Sequence, residues 1–114
     1  MDGLKRGDVV LIVAQGDHGK PRPAVVVQAD VFSEESTSMA VCPMTSTLME
    51  LRILRLRVKP SDESGLQKPS DIMVDKITTL KKSRIKDVIG RLDEPTMARL
   101  TRSLSVLLGI AEAA

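Results

Sequence analysis

Residues 23–29, Pro23-Ala24-Val25-Val26-Val27-Gln28-Ala29, decide the fold class of this chain. Three β-branched residues in a row, with turn chemistry on either side, read as a short strand. The turn upstream spans 15–21 (QGDHGKP) and holds two glycines and a proline. Before it, Gly7-Asp8 opens an apolar run from Val9 to Ala14, a first strand. Downstream, a polar loop from Asp30 to Ser38 leads to a third strand, Met39 to Met44. Pro43 falls near that strand's end, where a missing N–H is tolerated.

The same pattern continues to about residue 90. Arg52 to Val58 alternates, with Leu54, Leu56 and Val58 on one face and Ile53, Arg55 and Arg57 on the other, wet face. Residues 59–69 form the longest loop. Ser70 to Asp75 and Ile77 to Leu80 are short strands, and Ile85 to Ile89 reads equally as a strand or a helical turn. The last segment is helical. Asp93 is placed as the N-cap and Pro95 in the first turn. Met97, Leu100, Leu104, Leu107, Leu108 and Ala111 then recur at helical spacing, as a stripe for the core or for a dimer interface. Gly109 weakens the far end. The expectation is a mainly β (α+β) single domain over 1–114: a small bent sheet or barrel of five to seven strands, closed by one C-terminal amphipathic helix.

Composition narrows the function. The chain has 114 residues, 42% hydrophobic and 28% charged, with a net charge of +2. Such a domain builds a core without disulfides or metals. Phe32 is its only aromatic residue, so a nucleic-acid site would work without stacking rings. His18 and Cys42 are its only histidine and cysteine, which argues against a His/Cys zinc site and leaves Cys42 as a small buried hydrophobe. The carboxylates are scattered through loops, unlike the tight clusters of two-metal nucleases. No phosphate-binding glycine loop, dinucleotide fingerprint or serine nucleophile elbow is present. No metal and no cofactor are expected. No apolar run approaches the ~18 residues of a membrane helix, and Met1–Arg6 has no apolar signal region, so a cytoplasmic location without membrane contact is expected.

Three blocks then carry a resemblance. They are Arg6-Gly7-Asp8-Val9-Val10, the run from Gly16 through Arg22-Pro23-Ala24 to Val27, and Val41-Cys42-Pro43-Met44-Thr45-Ser46. In order and spacing, and with a closing helix ending in Leu-Leu-Gly, they resemble the MazF/PemK family of toxin ribonucleases. The resemblance covers nearly the whole chain. It implies an SH3-like, CcdB-like β barrel with a C-terminal helix, a homodimer, a single-stranded RNA substrate and a cognate antitoxin protein. It maps the family arginine onto Arg22 and the family threonine onto Thr45, with Asp17 in the place of a frequent acidic residue and His18 as its neighbour. Lys20, Ser46, Thr47, Lys76 and Thr78 are the expected RNA contacts, drawn from loops 15–21, 45–51 and 59–69 and the segment after Asp75. The pattern departs at Thr78-Thr79-Leu80-Lys81, where relatives often carry Arg-Thr-apolar-Asp. Lys76, Lys81 and Lys82 are the cations nearby.

The chemistry implied is a metal-independent, sequence-specific cut. RNA supplies its own nucleophile, the 2′-hydroxyl, and the enzyme stabilises the extra charge on phosphorus while two protons move. Arg22 offers planar charged donors and Thr45 a hydroxyl. With a pKa above about 12, arginine is a poor base, and Asp17 or His18 suits that task better. The resemblance nevertheless gives Arg22 a share in proton transfer, and the base stays open between them. Two other functions fit the same fold: a gyrase-poisoning toxin of the CcdB kind, and an SH3-like module that only binds. Lys81, Lys82, Arg84 and Lys86 read as a solvated cluster.

Overall fold

The computed structural model describes residues 3–13, 16, 19–50 and 53–113. Seven strands and one helix are described: β1 (Asp8–Ile12), β2 (Arg22–Val26), β3 (Ser38–Thr45), β4 (Arg55–Val58), β5 (Ser70–Met73), β6 (Thr78–Lys81), β7 (Ile85–Arg91) and α1 (Glu94–Leu107). Single 3-10 turns occupy Asp30–Phe32, Val74–Lys76 and Lys82–Arg84. The pairing is antiparallel throughout, in the order β4-β5-β3-β2-β1-β7, with β6 beside the first half of β3. Ile85–Ile89, open between strand and helical turn, belongs to the strand β7.

The run Val25-Val26-Val27 is apolar at every position because this part of the sheet is covered on both faces. Val25 and Val27 join one core cluster with Val9, Cys42, Ile72, Leu100 and Leu104. Val26 joins a second with Leu4, Val10, Ile12, Met39, Val41 and Ile85. The first lies under α1; the second fills the opposite face of the bent sheet. Burial pushes the Cys42 thiol up to about 12, against a small opposing pull from Arg6.

The Arg6-Gly7-Asp8 block ties these parts together. Arg6 Nε donates to the Val27 carbonyl at 3.1 Å and its guanidinium reaches Thr101 Oγ1 on α1 at 2.9 Å. Gly7 donates to Val26, Leu92 donates to Gly7, and Asp8 pairs with Arg91 at 2.9 Å. The two ends of the hydrogen-bonded path, β4 and β7, are not paired with each other. The 59–69 loop bridges them: Glu63 O accepts the Arg91 N–H at 2.7 Å. The backbones touch here, since a Cβ on Gly90 would lie 2.3 Å from the Ser64 carbonyl and one on Gly65 1.9 Å from that of Ile89.

The helix begins where expected. Asp93 caps it, accepting the Thr96 N–H at 2.8 Å, and Pro95 sits in its first turn. Its end corrects the expected stripe. Gly109, in the left-handed region, closes the helix: Ile110 N donates to Ser105 O and Gly109 N to Val106 O. Leu108 is therefore the C-cap and is 60% exposed, so the buried stripe is Leu100, Ser103 and Leu104, with Met97 and Leu107 half-buried.

Three outcomes follow from this packing. Gly90→Ala is expected to destabilise the fold by roughly 2 kcal/mol or more, because backbone cannot yield to the methyl, read as a lower urea midpoint. Cys42 is expected to resist thiol reagents in the folded protein and to react on unfolding. Thr96, through its side chain and its N–H, holds the Asp93 carboxyl below its ordinary value. That stabilisation is complete above the ordinary carboxylate range and fades as pH falls through the depressed value. Asp93→Ala should therefore lower Tm at neutral pH, with the gap to the parent closing in strongly acid solution.

Candidate functional site

The β2–β3 ladder ends early. Its register pairs Val26 with Val41, Val25 with Cys42 and Ala24 with Pro43, and stops there. Pro23 and Pro43 both stand at that end, and neither has an N–H to give. The same register carried onward sets Arg22 opposite Thr45. Arg22 is held on its other side by pairing with Ile12 of β1, and Thr45 by pairing with Asp71 of β5. Arg22 begins β2 and is exposed; Thr45 ends β3 and is half-buried.

Both residues line two clefts. One, of about 500 Å³, adds Lys20, Ser46, Thr47, Gln67 and Lys68, over apolar walls from Leu11, Leu66 and Ile89. The other, of about 610 Å³, adds Met73, Thr78, Thr79, Lys81 and Arg84. Five cations thus line the two clefts, and among the described residues no carboxylate does. Thr45 Oγ1 accepts the Thr47 N–H at 3.2 Å, which leaves the hydroxyl proton free to donate into the clefts.

Of the expected site residues, the structure brings together Arg22, Thr45, Lys20, Ser46, Thr47 and Thr78. Lys76 is exposed on the 3-10 turn after β5 and lines neither cleft. Asp17 and His18 lie outside the described residues. Two readings of the basic residues are sharpened. In the 81–86 group Lys81 and Lys86 are exposed, as a solvated cluster is, but the group is not loose: Lys82 donates to the Ser33 carbonyl, Arg84 to Val13 O at 3.1 Å and Lys86 to Ser83 O, while Lys81 and Arg84 line the second cleft. Nor is Arg55 on a wet face, for its side chain is 13% exposed and lies 4.0 Å from the buried Asp71 carboxylate. Arg57, more open, bonds that carboxylate through Nε at 3.1 Å, which holds its guanidinium above its already high ordinary value.

Asp71 itself, 1% exposed, escapes sequence reasoning. Its one signal is a charge inside an apolar run, Ser70-Asp71-Ile72-Met73. Lys68 is likewise a cleft residue that local pattern does not single out, while Lys81 and Arg84 read from sequence only as part of the 81–86 cluster.

The profile of the PemK-like, MazF-like toxin of type II toxin–antitoxin systems matches residues 5–108. The probable endoribonuclease MazF of Mycolicibacterium smegmatis is 39% identical over 109 residues, covering 95% of this chain and 99% of the relative. Endoribonuclease EndoA of Bacillus subtilis is 26% identical, covering 96% and 97%. A mycobacterial endoribonuclease solved with its cognate antitoxin superposes with a TM-score of 0.81 over 96% of this chain and 98% of that one, at 21% identity. The MazE–MazF complex of Deinococcus radiodurans gives 0.75 over 95% and 97%, at 22% identity. The structural likenesses speak to the fold, which they share.

Proposed function

Because this chain belongs to the PemK-like, MazF-like toxins of type II toxin–antitoxin systems, we propose that it is an endoribonuclease whose cut is made at Arg22 and Thr45. The observation that carries the assignment is their meeting at the open end of one ladder, lining two clefts that hold cations and no described carboxylate. A phosphodiester of single-stranded RNA crossing that ridge meets the Arg22 guanidinium and the Thr45 hydroxyl.

The 2′-oxygen attacks phosphorus and the bond from phosphorus to the 5′-oxygen breaks. A proton leaves the 2′-hydroxyl for a base, and another reaches the departing 5′-oxygen. The products are a 2′,3′-cyclic phosphate and a 5′-hydroxyl. Arg22 and Thr45 donate to the non-bridging oxygens, whose charge grows most in the transition state. The base is Asp17, His18 or Arg22, of which the first two, a few residues before Arg22, have the more suitable ordinary pKa values. Lys20, Ser46, Thr47 and Thr78 contact the strand on either side, with Lys76 farther along. Apolar walls and hydroxyls, in place of aromatic rings, receive its unstacked bases. No metal takes part.

The same reading brings a homodimer, a cognate antitoxin protein that silences the enzyme, and a cytoplasmic location where both RNA and antitoxin are met. No described helix is long and apolar enough to cross a membrane.

The test is cleavage of single-stranded RNA in excess EDTA with both new ends mapped. Discrete cuts bearing the two expected termini are predicted. Arg22→Ala is expected to lower the rate at least about 100-fold and Thr45→Ala about 10-fold or more, with circular dichroism unchanged. Cleavage that depends on added magnesium would overturn the mechanism. A gyrase poison or a binding module would cut no RNA at all.

A further inference from the structure

The loop that follows β3, residues 46–50, carries Ser46 and Thr47 into the first cleft and presents Leu48 and Met49 outward, 42% and 47% exposed. A surface segment of that kind has little apolar burial of its own to order it. One carboxylate does so from beneath. Asp71 Oδ2 accepts the Met49 N–H at 2.8 Å, and Oδ1 accepts Arg57 Nε at 3.1 Å. The two arginines around that carboxylate turn back onto the same loop: Arg55 donates to Thr47 O and Arg57 to Met49 O, both at 3.4 Å. Arg57 also approaches Glu50 at 3.6 Å. Three backbone groups of the loop are thereby tied to one clasp.

The sheet register explains why a single residue can do this. Asp71 pairs with Thr45 on one side and with Arg57 on the other. Its side chain sits between the strand that ends in Thr45 and the strand that bears the arginines, and it lines neither cleft. Burying a carboxylate is costly unless it is fully paired, and an apolar residue would pack into a sheet at this depth more cheaply. The clasp therefore answers to something other than bulk stability.

We propose that Asp71 is a positioning residue for the RNA. Acting through the Met49 amide and through Arg55 and Arg57, it fixes the 46–50 loop as one wall of the cleft beside Thr45. Ser46 and Thr47 then meet an unstacked base in one geometry only. Thr45 is held by backbone pairing that survives a change of the Asp71 side chain, so the clasp governs which RNA sequence is taken and how tightly. This rests on the ribonuclease reading above.

The test uses the whole chain, with Asp71→Asn, which keeps shape but loses the charge, and Arg57→Gln, which opens the clasp from its exposed side and leaves the core alone. Cleavage of a random-sequence single-stranded RNA pool is mapped, KM and kcat are measured on one preferred oligonucleotide, and hydrogen exchange is followed at Met49. Both variants are expected to raise KM about tenfold, the effect of losing one charged hydrogen bond, with kcat much less changed. They should also broaden the cut sites and speed exchange at Met49, and Arg57→Lys should restore part of the KM. A fall in kcat with KM and cut preference held, or parental values throughout, would overturn the proposal. Should the parent cut no RNA, the ribonuclease reading fails by itself. Met49 exchange and binding of a 2′-deoxy oligonucleotide then decide the clasp: faster exchange with weaker binding sustains it, and unchanged values refute it.

Discussion

The ladder between β2 and β3 stops at Ala24 and Pro43, where two prolines leave it without donors. Had it continued, Arg22 and Thr45 would be one more cross-strand pair, closed over by neighbouring side chains. Because it stops, both residues face open clefts while staying anchored, Arg22 through β1 and Thr45 through β5. The site is thus a strand terminus on both sides, with its backbone fixed by the sheet and its two side chains lining the clefts. Such an arrangement suits chemistry that depends on placing donors around a phosphorus, since a donor misplaced by about 1 Å forfeits much of its effect.

That position demands a sheet which does not fray, and the two core clusters supply it. Val25 and Val26 point to opposite faces and both are buried, so β2 cannot slip by one residue without driving an apolar set into the wrong cluster. The open path from β4 to β7 is bridged by backbone contact through Gly65 and Gly90 instead of by further ladder bonds. This contact also brings Lys68 and Gln67 to the first cleft. Closure of the fold and the second wall of the site come from one loop.

The regular parts of the fold were legible because they have local causes. The strand of 23–29, the Asp93 cap and the Pro95 turn each follow from a few adjacent residues. Ile85–Ile89 stayed open because β7 is a sheet edge with only Ile85 fully buried, so its sequence has no period to read. Ala111 was placed on the helix because the stripe was extended through Gly109, which ends it, and Leu108 just before that glycine is the exposed C-cap. Arg22 and Thr45 were singled out by family resemblance, and nothing local says that they meet. The clasp was invisible for a related reason. Asp71 and Arg57 stand 14 residues apart, and only the β4–β5 register makes them neighbours. Read alone, Arg55 and Arg57 are the wet side of an alternating strand.

Charge placement completes the account. A net charge of +2 is too small to attract a polyanion by itself, and the acids nearly balance the bases. What differs is where each sign is spent. Asp8 is engaged by Arg91 and Asp71 by the arginine pair. The five cations line clefts that no described carboxylate lines. Asp71 lies next to Thr45 in the sheet, and its charge is offset there by the Arg55 and Arg57 guanidiniums, so it can order the loop without repelling a phosphate that passes above it. A weakly charged protein in this way gathers five cations along two adjoining clefts, and that local arrangement, not the total charge, is what a phosphodiester would meet.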